Sequence, residues 1–321
     1  MSLTMKAYGL TDVGCVRRRN EDSFLIARLD RSMERSEAGY PFEKCVDLTE
    51  LDCANDGVGQ LLIVADGVGG GPGGEVASRT ALDVIVRELV HSAPSVEDSA
   101  SEVGEIRLGL KNAVRLAENE LLQVGRDTPS LAGMATTLTL ALVIDKHLYL
   151  AHVGDSRAYL LRRGQLKRLT RDHNFQQRLR ERLGDSLAVN SPLARHLWNV
   201  VGGGVTKVDP DLYWMQIEHG DRLLLCTDGL THTCSDRQLG HILTDEPGIP
   251  ECVQRLVLRA KGDGGTDNIT AILADFQFDA DAAAATQTVI LGHPTVDPYA
   301  ETITDFEACL SAELKDACAS V

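Results

Sequence analysis

Three strand-like segments joined by very short connections constrain the fold of this chain more than any other feature. Apolar residues predict strands at 136–144, 147–153 and 157–161, with only two and three residues between them. Because connections of this length cannot hold a crossover helix, we expect neighbouring strands to form antiparallel hairpins. A doubly wound parallel sheet is thereby excluded, and the expected fold class is α+β.

The remaining periodic segments fit the same class. Helical periodicity predicts three helices, and apolar runs predict six further strands. The predicted helices are 74–91, 103–124 and 249–260, and the predicted strands are 6–10, 23–28, 60–65, 212–217, 222–227 and 268–276.

The chain is expected to form one large domain, residues 1–278, followed by a tail. Residues 30–58 are polar and irregular, which indicates an insertion, and residues 171–210 carry many charges and a glycine run, which indicates a helical flap on the main sheet. Residues 279–321 have the composition of a linker that ends in an amphipathic helix at about 303–317.

Composition limits the classes of partner. The formal net charge of −15 argues against nonspecific nucleic-acid binding, which needs clustered Lys and Arg. No stretch has the length of a membrane span or of a signal peptide, so we expect a cytoplasmic protein, away from membranes. The eight cysteines include no C-x-x-C pair, which disfavours a zinc site.

Four aspartates stand where a predicted strand begins or ends, each in a turn that contains glycine. They are Asp66, Asp155, Asp228 and Asp267. Carboxylates gathered at one edge of a sheet repel each other unless cations neutralise them, so their convergence predicts divalent metals that prefer oxygen, Mg²⁺ or Mn²⁺. Two such ions can acidify a water that attacks phosphorus, which points to phosphate chemistry.

Some of these turns have other interpretations. Gly69, Gly71 and Gly74 match a dinucleotide-binding turn, but Asp66 would repel a pyrophosphate there, and a second helix follows where a parallel strand is needed. The turn around Asp155, taken alone, is equally typical of a plain hairpin.

A basic run near the N-terminus supplies a receptor for phosphate. Arg17, Arg18 and Arg19 precede Asn20, Glu21 and Asp22. The planar fork of an arginine matches phosphate oxygens, and the neighbouring acids could orient metal ions. In isolation, the same run is typical of a solvated loop.

Taken in order, six motifs resemble the protein phosphatase 2C family, and its bacterial branch in particular, over roughly residues 6–278. They are RxxNEDS (Arg17–Ser23), ADGVGG (Ala65–Gly70), GDSR (Gly154–Arg157), LTRDH (Leu169–His173), CTDGL (Cys226–Leu230) and GGTDNIT (Gly264–Thr270). The resemblance implies a four-layer α-β-β-α sandwich of two antiparallel sheets with a metal centre at one end. It also implies hydrolysis of phosphoserine and phosphothreonine in proteins by a metal-activated water at a binuclear Mn²⁺ or Mg²⁺ centre.

Roles follow from the resemblance residue by residue. Asp66 would bridge two core ions, the carbonyl of Gly67 would bind one of them, and Asp228 and Asp267 would complete the shell of the other. Asp155, with Asp228, would hold a third, weaker ion. Arg17 would receive the substrate phosphate, Glu21 and Asp22 would act on waters of the metals, and Asn268 would support Asp267. Catalysis would thus depend chiefly on Asp66, Arg17 and Asp228.

The sequence departs from the family pattern at the proton donor. Gly71 and Val68 stand where bacterial and eukaryotic members, respectively, often have histidine, so the leaving-group proton must come from elsewhere. The alternatives are a pseudophosphatase that only binds, and a phosphatase for a regulatory switch protein. The expected partners are phosphorylated proteins and a Ser/Thr kinase, and the expected state is a monomer.

Overall fold

The computed structural model describes residues 3–29, 50–54, 59–68, 73–91, 100–183, 195–204 and 207–278. The strands are β1 (Leu3–Asp12), β2 (Asp22–Leu29), β3 (Glu50–Ala54), β4 (Gly59–Val68), β5 (Ala135–Thr136), β6 (Leu138–Ile144), β7 (His147–Val153), β8 (Arg157–Arg162), β9 (Gln165–Arg168), β10 (Val201–Gly202), β11 (Asp211–Gln216), β12 (Arg222–Cys226) and β13 (Ile269–Phe278). The α-helices are α1 (Gly74–His91), α2 (Ala100–Asp127), α3 (Phe175–Leu183), α4 (Asp228–Thr231), α5 (Asp236–Asp245) and α6 (Ile249–Gly262).

The described strands form two sheets in which every pairing is antiparallel. Sheet 1 has the order β3-β1-β13-β12-β8-β9, and sheet 2 has the order β10-β5-β4-β6-β7-β11, with β2 also paired to β4. The first and last strands of the domain lie side by side, because Leu3 pairs with Phe278 and Asp12 with Ile269. The predicted α+β class is confirmed.

Alternation along the strands builds four layers. In β4, Leu62 and Val64 face sheet 1, whereas Leu61 and Ile63 pack in the core formed with α1 and α2. In β13, Ile272 belongs likewise to the core between the sheets, and its neighbours pack against α5 and α6. The predicted four-layer sandwich is therefore confirmed.

The connection between β7 and β8 corrects one prediction. β6 and β7 form the expected hairpin, but β8 pairs with β12 and β9 in sheet 1. The predicted hairpin of the second and third strands is therefore wrong. The chain crosses between the sheets at Gly154, where φ of +101° is a conformation that glycine adopts without strain. This crossing places Asp155 at the junction of the two sheets.

The nine strands and three helices predicted within residues 1–278 all occur, although the predicted strand 136–144 is divided into β5 and β6 at Thr137. The strands β3, β9 and β10 and the helices α4 and α5 were not predicted, whereas α3 lies in the segment expected to form a helical flap. Most of these are short or polar. Helix α5 did carry a signal, because Ser235 and Gln238 form a capping box before Leu239 and Ile242.

The predicted peripheral segments are described in part. Within the predicted insertion 30–58, residues 50–54 form strand β3, which extends sheet 1 beside β1. Within the predicted flap 171–210, α3 and residues 195–204 are described, and the predicted helix at 303–317 lies outside the described residues. No helix in the described ranges has the length and apolar character needed to cross a bilayer.

Candidate metal centre

The four aspartates singled out in the sequence meet at one end of the sandwich. Asp66 lies near the end of β4, Asp155 at the crossing between the sheets, Asp228 directly after β12, and Asp267 just before β13. With other predicted site residues they line a cleft of about 330 Å³. The predicted residues in its wall are Arg17, Glu21, Asp66, Gly67, Asp155, Asp228, Asp267 and Asn268.

The local geometry of β4 explains why Asp66 faces this cleft. Asp66 is paired with Asp22 on β2, and on its other side its carbonyl oxygen accepts hydrogen bonds from Thr137 N (2.8 Å) and Thr136 Oγ1 (2.9 Å). A side chain on Gly67 would collide with the backbone of Gly74, at the start of α1. The glycine therefore lets the helix begin directly against the strand end.

The carboxylates of the cleft cannot all be charged without compensation. Burial, together with repulsion from the neighbouring aspartates, raises the pKa of Asp66 well above its ordinary value, and the same causes raise the pKa of Asp155 and Asp228. Such a set of acids is stabilised in its ionised form by bound cations.

Asp22 is the one predicted site residue that lies beneath the cleft and not in its wall. Its Oδ2 accepts hydrogen bonds from Thr227 Oγ1 (2.8 Å) and Thr270 Oγ1 (2.6 Å), and burial raises its pKa. Its Oδ1 is buried and has no hydrogen-bond partner among the described residues. Asp22 thus supports the strand ends from behind.

The basic loop is held to the last strand by one amide. Asn268 accepts a hydrogen bond through Oδ1 from Glu21 N (2.9 Å) and donates through Nδ2 to the carbonyls of Val13 (3.0 Å) and Arg19 (2.9 Å). Arg17 pairs with Asp267, with 2.7 Å from Nη2 to Oδ2. Asn268 therefore supports the loop of Arg17 as much as it supports Asp267.

The donors in the cleft fit divalent metals that prefer oxygen. Asp228 Oδ1 is buried without a hydrogen-bond partner in the described part of the chain, and the other donors are carboxylate oxygens and the carbonyl of Gly67. Among the described residues, no three His, Cys, Asp or Glu side chains close around a single point as a finished cage. The fit therefore rests on the chemistry and charge of the donors.

Sequence reasoning missed several residues at the cleft. Thr137, Arg195, His196 and Leu197 line it, and His232 Nε2 lies 3.4 Å from Asp228 Oδ2. His232 follows Asp228 by one helical turn, a spacing that could have indicated this contact. Thr137 gave a weaker signal, as a polar residue within an apolar run.

Comparison with known proteins identifies the family to which this fold belongs. Residues 45–274 match the family model described as Protein phosphatase 2C. The chain belongs to the protein phosphatase 2C family. The match begins after the Arg17–Ser23 motif, which the structure nevertheless brings to the same cleft.

The relatives are bacterial members of this family, as the sequence motifs predicted. The chain is 36% identical over 218 residues to the serine/threonine protein phosphatase PstP of Mycobacterium tuberculosis, a match that covers 67% of this chain and 40% of PstP. It therefore spans about two fifths of the length of that relative. It is also 31% identical to the serine/threonine phosphatase Stp of Listeria monocytogenes, in a match that covers 67% of this chain and 84% of Stp.

The solved structure of one relative contains manganese ions. The catalytic domain of PstP, in complex with two manganese ions, is 31% identical with a TM-score of 0.65, and the match covers 86% of this chain and 100% of that domain. These relatives do not support the alternative of a pseudophosphatase. The dinucleotide-binding alternative is excluded as well, since β4 and α1 lead to a second helix and an antiparallel sheet.

Proposed function

We propose that this chain hydrolyses phosphoserine and phosphothreonine in proteins at a centre of two Mn²⁺ or Mg²⁺ ions. The observation that carries the proposal is the convergence of four aspartates from separate strand ends on one cleft that also contains Arg17. The activities named for PstP and Stp support the reaction class, and the two manganese ions of the PstP domain support the cofactor.

Five residues would hold the ions. Asp66 would bridge the core pair, the Gly67 carbonyl would bind one ion, Asp228 and Asp267 would bind the other, and Asp155 with Asp228 would hold a weaker third ion. Bound ions supply Lewis acidity, which neutralises phosphoryl charge and lowers the pKa of water.

The protein's own groups bind and orient the substrate. Arg17 presents its guanidinium to the phosphoryl oxygens, while Asn268 fixes the loop on which it stands. Glu21 lies in the cleft wall, where it can orient water, and Asp22 acts from beneath. The described residues that line the cleft include no cysteine, which argues against a cysteine nucleophile there, and the proposal assigns the attack to water.

The test is hydrolysis of para-nitrophenyl phosphate and of a phosphothreonine peptide by the purified chain. We expect turnover with Mn²⁺ or Mg²⁺, none in excess EDTA, and none in Asp66→Asn with Mn²⁺ present. Full turnover in EDTA, or in Asp66→Asn, would end the proposal.

The finer parts of the proposal concern context. We infer that the chain acts as a monomer in the cytoplasm, opposite a Ser/Thr kinase, and that residues 1–278 suffice for catalysis. Free thiols are found at Cys15, Cys226, Cys234 and Cys252, which suits a reducing compartment. Light scattering measures the oligomeric state, and truncation after Phe278 tests the domain: loss of peptide turnover by the truncated chain would contradict it.

A further inference from the structure

A buried histidine outside the cleft connects two parts of the candidate site. The side chain of His173 is fully buried and is not part of the cleft wall. Its ring lies between those of His152 and Trp198, with centroids 4.8 and 4.7 Å away. A histidine in such a place is often only a satisfied core residue, so its role depends on the groups that it holds.

On one side, His173 holds the turn that carries Asp155. Its backbone N donates a hydrogen bond to the carbonyl of Gly154 (2.7 Å), and its Nδ1 accepts one from Gly154 N (3.2 Å). Both backbone polar groups of the residue before Asp155 are therefore fixed by one residue. The turn has little room to move, since Gly154 is packed against Thr137.

On the other side, His173 holds the segment 195–199, which we name the return segment. Its carbonyl accepts a hydrogen bond from Trp198 N (3.0 Å), and its Nδ1 accepts a second one from Asn199 Nδ2 (3.0 Å). The first three residues of the return segment, Arg195, His196 and Leu197, line the cleft. A substrate that presses on this wall therefore presses on residues that directly precede the two bonded to His173.

The ring is oriented by a third partner. Because Nδ1 accepts hydrogen bonds, the ring proton lies on Nε2, which is 3.2 Å from Asp211 Oδ2. Nε2 has no hydrogen-bond partner in the described part of the chain, so this contact is a close polar approach and not a hydrogen bond. Asp211 is itself held by Tyr213, whose hydroxyl donates to Oδ2 (3.0 Å).

We propose that His173 is a positioning residue that couples the return segment to the Asp155 turn, so that contact of a phosphoprotein with this wall of the cleft sets the position of Asp155. The inference rests on the proposed function, which assigns Asp155 to the metals. It assigns no catalytic role to His173, which acts only through Gly154 and Asn199.

Three variants and one matched control test the coupling. His173→Leu removes Nδ1, the acceptor shared by Gly154 and Asn199, and His173→Asn keeps an acceptor near that position. Asn199→Ala removes the side-chain hydrogen bond between His173 and the return segment. The control is Asp221→Asn. The carboxylate of Asp221 is about as buried as the ring of His173 and accepts hydrogen bonds from Arg162 (2.6 and 2.8 Å), but it lies at the opposite end of β12 from Asp228.

Kinetics and hydrogen exchange give separate outcomes. We expect His173→Leu to lower kcat/KM for a phosphothreonine peptide about ten-fold, His173→Asn to recover most of it, and Asp221→Asn to keep wild-type kinetics at a similar loss of melting temperature. In Asn199→Ala, peptide turnover should fall more than that of para-nitrophenyl phosphate, and amide exchange should speed up at residues 154–156.

The coupling is overturned if His173→Leu and Asp221→Asn have the same kinetics, or if faster exchange in Asn199→Ala is confined to residues 195–204. Should His173→Leu fail to fold, His173→Asn and Asn199→Ala decide. An inactive wild-type chain would count against the proposed function alone, because exchange at the turn reports the coupling without turnover.

Discussion

Replacement of Thr137 by valine removes the hydrogen bonds that join the end of β4, which carries Asp66, to the turn that carries Asp155. The side chain of Thr137 is fully buried, its Oγ1 accepts a hydrogen bond from Asp66 N (3.0 Å), and it shares another with Ser156 Oγ (2.8 Å). Valine has nearly the same shape and lacks the hydroxyl. The substitution therefore leaves the packing in place while the end of β4 loses its bond to the Asp155 turn.

The structure gives the size of the effect. Asp66 N and Ser156 Oγ each lose a partner in a buried place, and a stranded polar group costs about 1–3 kcal/mol. The free energy of unfolding should fall by roughly 2–6 kcal/mol in total. For a domain of this size, about 2–4 °C per kcal/mol converts this into a fall in melting temperature of roughly 4–24 °C. The affinity for Mn²⁺ should fall too, because the backbone of Asp66 is less firmly held.

Scanning calorimetry measures the first effect and titration calorimetry with Mn²⁺ the second. The control is Thr137→Ser, which keeps the hydroxyl and loses one methyl group, at a cost of about 1 kcal/mol. If the serine variant melts below the valine variant, the hydrogen bonds are not what stabilises this junction and the reasoning is refuted. A double-mutant cycle with Ser156→Ala then separates the Ser156 bond from the Asp66 bond.

Three other predictions concern charge. Asp66→Asn should abolish turnover and Mn²⁺ binding at the core pair, whereas Asp155→Asn should keep two ions in titration calorimetry and lose turnover; loss of all metal would contradict the assignment. Arg17→Ala should raise KM for phosphopeptide about ten-fold, with lysine a partial rescue, and an unchanged kcat/KM would point to a neighbouring arginine. Burial opposes ionisation of Asp172, but the hydrogen bonds from Arg157 (2.9 and 2.7 Å) hold its pKa below the ordinary value. Their stabilisation is therefore present above about pH 4 and lost as pH falls through the lowered pKa, so Asp172→Asn should flatten the acid limb of stability measured by urea unfolding.

The sequence predicted the strands that carry continuous apolar runs, because burial on both faces leaves a strong signal. The run that precedes Asp228 becomes β12, with Leu224 in one core and Leu223 and Leu225 in the other. The destination of β8 was not predictable in this way. A short turn allows either a hairpin or a change of sheet, and the choice depends on the pairing of β8 with β12, which is distant in sequence.

The site residues that stand in motifs could be predicted from the sequence, whereas the contacts of single residues with distant parts of the chain could not. The aspartates each follow or precede an apolar strand, which makes them visible in the sequence. Thr137 carries no such mark, since a buried threonine looks like any other polar residue until its partners are known. The LTRDH motif contains His173 but does not show what its side chain contacts. Their importance comes from contacts with Asp66 and Gly154, which lie far along the chain.

The two sheets make the candidate centre jointly. Asp66 belongs to sheet 2, Asp228 and Asp267 adjoin strands of sheet 1, and Asp155 stands where the chain passes from one sheet to the other. The distances between the four carboxylates are therefore set by the apolar core between the sheets, and not by any single loop. Ions that bind only this arrangement stabilise the packed sandwich by mass action, and a loosened core must in turn weaken their binding. Burial and mutual repulsion raise the pKa of Asp66, Asp155 and Asp228 and oppose folding without cations, so stability and metal affinity both depend on the packing that sets these positions.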